Sequence, residues 1–384
     1  MVRTGRQSGT PDFAILHLCE ALASGLLRVV PPLANESASN GIPTVVIHGR
    51  RPETPSDVAD LFQPSVRLVA VPGWGDRSRH TSLVSMMRAA AALRRELSAY
   101  RGGILHMHST HAGVVGRLVP ARGWSRFYTP QGYAFLNASH PLAVRGSALA
   151  IEILLARRAH TLACSRAEGA IAARMLRAKH VSVVQNGLGL ALAPPTRREA
   201  PSRLVVASVG RAYYQRRPDL FVQLASRLRR ELEIDFCWFG DGPEADMLAR
   251  AGVAVSGWVP QTVVESALAQ SDVIVHFSAF EGLPLALLEA MSSGRAIIAS
   301  DLPVIREVVG DAAILVRGPA EAAEAVRILH VDYRLRRELG TRARDRVRRL
   351  FSDHAMVRRT HAVYGLPGGD DRHGTERGRL GLRS

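Results

Sequence analysis

The sequence predicts an α/β chain of two doubly wound domains. Short apolar runs of strand type alternate along it with longer amphipathic segments, the pattern left by parallel strands joined through helices. The 384 residues exceed what one core comfortably organises and suit two domains of about 150 to 200 residues each. A hydrophobic content of 47% is enough to bury both cores.

In the first half AILHLC (14–19), TVVIHG (44–49), VRLVAV (66–71), GILHMH (103–108), RFYTP (126–130), HTLACS (160–165) and VSVVQN (181–186) read as successive strands. Residues 188–203 carry Pro194, Pro195, Pro201 and three Arg, and they break the periodicity. The linker is therefore placed at 191–203, between a first domain at 1–190 and a second at 204–345. That second domain offers the strands RLVVASVG (203–210), DFCWFG (235–240), VAVSGW (253–258), DVIVHF (272–277), AIIAS (296–300) and AAILV (312–316). An Arg-rich helical stretch follows over 341–364, with 346–364 as a closing helix, and residues 365–384 lack apolar periodicity and read as a disordered tail.

The formal charge of +16 invites nucleic acid as a partner. Nearly all of it is Arg, Lys179 being the only Lys, and clusters fall at 94–95, 157–158, 216–217 and 342–349. Aromatic residues are not interleaved with those clusters, so no stacking platform for single strands is expected, and no nucleic acid. The charge suits instead an anionic membrane surface or phosphorylated substrates, or it lies on ordinary solvated faces. Cys19, Cys164 and Cys237 have neither metal-ligand nor disulfide spacing, which points to buried thiols and a reducing compartment. No basic start leads into an apolar run, and no stretch of about 18 apolar residues occurs, so a cytoplasmic protein, soluble or peripheral on the inner face of the membrane, is expected.

The most informative stretch is FSAFEGLPLALLEAMSSGR, residues 277–295. Glu281 lies in a Gly/Pro-punctuated loop after the run DVIVHF, and Glu289 lies mid-helix after Pro284, a residue suited to a first helical turn. Leu285, Leu288 and Met291 recur at helical spacing, and Gly294 is placed to end the helix. The helix N-terminus suits a phosphate. Eight helical residues rise about 12 Å, so the two carboxylates stand well apart. A retaining glycosidase needs its pair roughly 5 Å apart and an inverting one under about 10 Å, which disfavours hydrolysis. Two separated carboxylates flanking a helix N-terminus suit one long ligand with hydroxyls at its ends and phosphates between, the shape of a nucleotide sugar.

At these residues the chain resembles glycosyltransferase family 4, retaining enzymes of the two-domain GT-B architecture, in which two Rossmann-like domains face across a cleft. The Glu-x7-Glu segment EGLPLALLEAMSSG carries the resemblance. So do SVGRAYYQRRPDLFVQLA (208–225), FGDGPEADML (239–248), SGWVPQ (256–261) and IIASDLPVIREVVG (297–310). Thinner matches run through ILHLCEALASG (15–25), ILHMHSTHAGVVGRL (104–118), FYTPQGYAFL (127–136), ACSRAEG (163–169) and VVQNG (183–187).

The resemblance implies a retaining transfer of a hexose-type sugar from a nucleotide-sugar donor to a glycan or polyprenyl-linked acceptor in envelope or exopolysaccharide assembly. It assigns Glu289 to the ribose hydroxyls and Glu281 to the sugar ring and the charge that develops at the anomeric carbon. Arg211 and Arg216, the latter replacing a Lys, would bind the donor diphosphate, with Arg217 as a second candidate and the backbone N–H groups of Gly282 and Leu283 cradling the departing phosphate. Gly240 and Gly242 would lie beside the base, and Gly25 would be the remnant of a glycine-rich loop near acceptor or diphosphate. No Asp-x-Asp segment stands where a cation would, so neither metal nor other cofactor is expected. Gln131 occupies a position where relatives usually carry His, and an amide there can bind a sugar hydroxyl but carry no proton. His106, His108 and His111 have a spacing that invites a metal, which the resemblance argues against. Ser165 and Glu168 can cap a helix or touch substrate. Two other readings stay open: a nucleotide-sugar 2-epimerase, and a GT-B scaffold without turnover that binds membrane or nucleic acid.

Overall fold

Among the described residues, thirteen strands form where the thirteen apolar runs lie, and every pairing between them is parallel. The computed structural model describes residues 12–23, 25–52, 54–76, 83–189 and 203–366. Most of the expected linker, 191–202, and the expected tail from 367 lie outside the described residues.

The first sheet runs in the order β3-β2-β1-β4-β5-β6-β7. Its strands are β1 (Phe13–Cys19), β2 (Thr44–His48), β3 (Val66–Ala70), β4 (Gly102–His108), β5 (Trp124–Thr129), β6 (His160–Ala163) and β7 (Val181–Val183). Helices α1 (Leu26–Ser39), α2 (Leu83–Ser98), α3 (Thr110–Leu118), α4 (Leu142–Leu155) and α5 (Arg166–Ala170) connect them. Central strands covered on both faces read as unbroken apolar runs, and β2 is buried at every position. On the edge strand β3 the pattern loosens, with Val66 and Val69 buried and Arg67 exposed.

The second sheet repeats the plan in the order β10-β9-β8-β11-β12-β13. It comprises β8 (Leu204–Val209), β9 (Ile234–Phe239), β10 (Ala254–Val255), β11 (Val273–His276), β12 (Ala296–Ser300) and β13 (Ile314–Val316). Its helices are α6 (Pro218–Leu228), α7 (Ala245–Arg250), α8 (Gln261–Gln270), α9 (Leu285–Ser292), α10 (Pro303–Val309) and α11 (Pro319–Val331). Proline opens α6, α10 and α11, where its missing N–H costs no hydrogen bond. Leu224, Phe236 and Trp238 fill one face of this sheet, and Leu288, Met291 and Ile305 fill the other.

In each sheet the order reverses between its first and fourth strands in the chain, at β1/β4 and at β8/β11. Loops leaving adjacent strands there diverge to opposite faces and leave a crevice at the carboxyl ends. The loops after β8 and β11 carry Arg211, Arg216 and Glu281.

The expected closing helix at 346–364 is two helices, α12 (Tyr333–Leu350) and α13 (Asp353–Tyr364). The break is chemical: the Ser352 hydroxyl accepts from the Ala355 N–H at 3.2 Å and starts a new helix. Just before it, the Phe351 carbonyl accepts from Leu188 N–H at 2.8 Å, so the two stretches of chain that connect the domains run side by side. Helix α13 then lies on the first domain, where Tyr364 meets the Phe127 ring at 4.8 Å and its hydroxyl meets His106 Nδ1 at 2.6 Å. Among the described residues no helix is long and apolar enough to cross a membrane.

Candidate active site

Strand β11 ends at His276, and the chain turns through Ser278 and Glu281 into α9, whose first residue follows an extended Pro284. Glu281 is buried and densely partnered. Its carboxylate is ion-paired with Arg216 Nη1 and accepts from Ser278 Oγ at 2.6 Å and from Gln215 Nε2 at 3.1 Å. His276 Nε2 lies 3.5 Å away. Burial alone raises a carboxyl's pKa, but here the Arg216 charge, His276 and the Ser278 hydroxyl outweigh it, and the net shift is downward. Glu281 is thus an anion at neutral pH. His276, by contrast, is held neutral by burial and by the Arg216 charge.

Arg216 also reaches His276 Nε2 and Ser278 Oγ, each at 3.0 Å, so the loop after β8 is tied to the loop after β11. Arg211 lies in the same loop with its guanidinium 5.6 Å from the Tyr213 ring. Arg217 departs from its expected place. In a left-handed conformation with φ of 49°, it forms a two-pronged pair with Asp219 at 2.9 and 2.8 Å. Gly240 and Gly242 answer to the same loop: a Cβ would come within 2.3 Å of the Gly210 carbonyl oxygen and 2.4 Å of that of Ala212. They let β9 end against the arginine loop.

Glu289, one helical stretch further on, faces the first domain. Gln261 Nε2 donates to it at 3.3 Å, and Arg28 Nε of α1 lies 3.7 Å away. Arg28 also sits 3.8 Å from Glu265 of α8. Burial, and secondarily Glu265, raise the Glu289 pKa against the pull of Arg28. Gly25 precedes α1 with a helical φ of −58°, so its backbone needs no glycine; a Cβ there would stand 3.0 Å from Leu285 Cδ1 at the start of α9.

Across from Glu281, the turn at Gln131 and Gly132 belongs to the first domain. Gln131 has a φ of 58°, rare outside glycine, and its side-chain carbonyl accepts from Asn186 Nδ2 at 2.8 Å. A Cβ on Gly282 would lie 2.5 Å from Gly132 N and 2.8 Å from the Gln131 carbonyl carbon. Backbone therefore meets backbone across the cleft, one residue from Glu281.

Glu168 holds that turn. Fully buried, it accepts from Gly132 N–H at 2.7 Å and Cys164 N–H at 2.8 Å, while burial raises its pKa against those two donors. Ser165 does the capping, accepting from the Glu168 N–H at 3.1 Å. From the second domain, Glu307 of α10 closes the ring, accepting from Arg166 N–H at 2.8 Å and Gln185 Nε2 at 2.8 Å. A continuous path thus runs from Glu307 through α5 and Glu168 to Gly132, and back to Gly282.

Sequence reasoning missed Arg28, Gln215, His276, Ser278 and Glu307. His276 and Ser278 were within the motif's reach as flanking residues, but Arg28 and Glu307 act on the opposite domain and carry no local signal. The expected histidine trio is also corrected. His17 and His106 are register partners on β1 and β4, so His17, His106 and His108 cluster, all buried, while His111 pairs with Glu20 at 3.1 Å. Burial pushes His17 down to about 3, and His106 and His108 are also lowered, so the rings are neutral at neutral pH. Both nitrogens of His106 are engaged, with Thr129 Oγ1 at 2.8 Å and with the Tyr364 hydroxyl at 2.6 Å.

Residues 24–187 match the family described as "Glycosyl transferase 4-like domain", and residues 203–332 match "Glycosyl transferases group 1". The chain is 26% identical over 272 residues to the Escherichia coli UDP-Gal:alpha-D-GlcNAc-diphosphoundecaprenol alpha-1,3-galactosyltransferase, covering 64% of this chain and 69% of that one. Among solved structures, sucrose-phosphate synthase from Thermosynechococcus elongatus superposes with a TM-score of 0.78 at 17% identity, over 92% of this chain and 98% of the other. Anabaena HepE, in complex with UDP and glucose, gives 0.73 at 18% identity, over 91% and 99%. These last two likenesses are of fold: two Rossmann-like domains in the GT-B arrangement.

Proposed function

Because the chain belongs to the family 4 glycosyltransferases, we propose that it moves a sugar with retention, and without a metal, from a nucleotide-sugar donor to a lipid-linked glycan of the cell envelope. One observation carries the reading: Glu281, kept anionic while buried, stands at the N-terminus of α9 with Arg216 against it and the Gln131 turn one residue away.

In the proposed reaction the donor diphosphate lies between Arg211, Arg216 and the N–H groups of Gly282 and Leu283, so that cationic side chains and backbone dipoles neutralise the leaving group. The bond from the anomeric carbon to the phosphate oxygen breaks, and the acceptor oxygen bonds to the same face. The acceptor's proton passes to the departing phosphate oxygen, so Gln131 is asked only to hold a hydroxyl. Glu281 stabilises the positive charge at the anomeric carbon. Arg216 is paired to Glu281, so donor phosphate exchanges one anionic partner of Arg216 for another and sets Glu281 toward the sugar. Glu289 receives the ribose, displacing Arg28 and Gln261.

The Escherichia coli relative is named for UDP-Gal and for a diphosphoundecaprenol acceptor, and HepE holds UDP, which makes a uridine donor the first to try. A polyprenyl-linked acceptor resides in a bilayer, so transfer takes place at an anionic membrane surface. The test is a thermal-shift screen of UDP-, GDP- and ADP-linked sugars with EDTA present, on the wild type and on Glu289→Ala. Stabilisation by one donor that the substitution abolishes supports the assignment, and an α-linked product from an α-linked donor, read by NMR, supports retention. No response to any donor would overturn the reading, and turnover of nucleotide sugar with no acceptor would make the protein an epimerase instead.

A further inference from the structure

Helix α4 has an exposed side with no charge on it. Leu142 is 79% exposed, Val144 50%, Ile153 49% and Leu154 74%, with Ile151 at 40%. Of its two charged residues, Glu152 is buried against Arg117 at 2.9 Å and the Tyr128 hydroxyl at 2.7 Å, and Arg145, half-buried, donates through Nε to the Phe135 carbonyl at 3.0 Å. Even Ser147 spends its hydroxyl on the Ala143 carbonyl of its own helix at 2.7 Å. Water therefore meets five large aliphatic side chains on this helix, with Arg145 half-buried beside them. Scattered exposed apolar residues are ordinary, but a whole uncharged helix face is not.

The surroundings have one sign. Residues 97–189 contain eleven Arg or Lys and only two acids, Glu152 and Glu168. Both acids are buried, at 2% and 3% exposure. Arg157 and Arg158 are exposed at the C-terminal end of α4, and Arg174, Arg177 and Lys179 are exposed on the segment that packs into the same apolar cluster. We propose that α4 is the element by which this protein lies on an anionic lipid bilayer, its aliphatic face among the acyl chains and the flanking guanidinium groups among the phosphates. A helix of 14 residues is about 21 Å long, too short to span, and it lies in the plane of the surface. A second copy of the chain fits less well, since it would press one basic surface on another. Nucleic acid would use the charge and leave the aliphatic face in water.

The placement bears on the site. The chain passes from Gln131 and Gly132 into α4 within ten residues, Tyr133 and Phe135 are buried in the apolar cluster beneath α4, and Arg145 grips the Phe135 carbonyl. Docking of α4 sets the acceptor side of the cleft against the bilayer. For what is delivered there the proposal rests on the transferase reading; the docking itself does not.

The experiment is co-sedimentation of the full chain, without donor or acceptor, with phosphatidylcholine vesicles and with vesicles of roughly 3:1 phosphatidylcholine to phosphatidylglycerol. We expect binding to the anionic vesicles that weakens with salt. The double substitution Leu142→Glu/Leu154→Glu should weaken it about tenfold or more, and Arg157→Glu/Arg158→Glu should do so on anionic vesicles only. Both variants keep their thermal midpoint, because the four side chains point away from the core. Unchanged vesicle binding of the leucine variant would overturn the proposal. So would a wild-type dimer that the leucine substitutions dissolve in the absence of vesicle binding, or salt-sensitive binding to nucleic acid with none to vesicles. Vesicle binding without a donor-induced thermal shift would sink the transferase reading and leave the docking surface standing.

Discussion

At the scale of single residues, Glu281 is held by more partners than a surface carboxylate could use, which ties its chemistry to its stability. Glu281→Gln keeps the shape but leaves the Arg216 charge unmatched in a buried setting. We expect turnover to fall by about 10²–10³ with donor affinity little changed, and stability to fall by about 1–3 kcal/mol. Steady-state kinetics beside a denaturant titration measure both, and unchanged turnover would remove Glu281 from the reaction. Gly282 makes a sharper test of geometry. Its missing Cβ lets the second domain touch Gly132, so Gly282→Ala must part the two loops. A displacement of about 1 Å at a reacting centre costs on the order of 10²-fold, and we expect kcat/KM to fall by that amount with the thermal midpoint nearly unmoved. Wild-type kinetics in this variant would mean that the Gln131 turn takes no part. The Glu-x7-Glu spacing made both glutamates visible in the sequence. It could not show that Glu281 is paired to Arg216, because 65 residues separate them and only the adjacency of β8 and β11 joins them.

Elements that cross between domains set the second scale. Helix α5 has its first N–H groups satisfied by Glu307 of the other domain, and Glu168 within it holds the Gln131 turn. Glu307→Ala removes one shared acceptor from three donors, at a cost of about 1–2 kcal/mol that falls on domain docking rather than on either core. We expect lower turnover with a single donor affinity, and faster proteolysis between the domains; unaltered values for both would make Glu307 an ordinary surface residue. Helix α13 carries a pH dependence. Burial raises the Asp353 carboxyl to about 6 against the pull of Arg28. A carboxyl with a raised folded pKa contributes stability in its protonated form, fully present below its ordinary value and lost as pH rises to about 6. Asp353→Asn should therefore raise the thermal midpoint relative to wild type more at pH 7.5 than at pH 4, an effect damped by the partial exposure of the carboxyl. A constant difference across that range would contradict the assignment. Neither device was legible beforehand. Residues 341–364 read as one helix because Phe351 and Ser352 interrupt the pattern for only two residues, and a Ser cap does its work through a backbone N–H three residues on.

For the molecule as a whole, the two sheets, the switch-point crevices and the basic balance give one further expectation. If Arg211, Arg216 and the N-terminus of α9 together neutralise the diphosphate, EDTA should leave turnover unchanged; complete loss restored by a divalent ion would overturn that. The sequence by itself determined the strands and the doubly wound plan, since parallel strands buried on both faces must be written as apolar runs, and it marked Glu281 and Glu289 as candidates because their motif is contiguous in the chain. It also carried the mostly apolar run LAVRGSALAIEILL, but not which of its faces would be wet, because Arg145 and Glu152 disguise the exposed side until their partners Phe135, Arg117 and Tyr128 are in place. Only the tertiary structure decided what meets across the cleft: Arg28 against Glu289, Gly132 against Gly282, Glu307 on α5, and His17 rather than His111 beside His106. Each of these joins residues far apart in the chain, and such contacts follow from strand order and domain apposition, to which no local pattern of residues is sensitive.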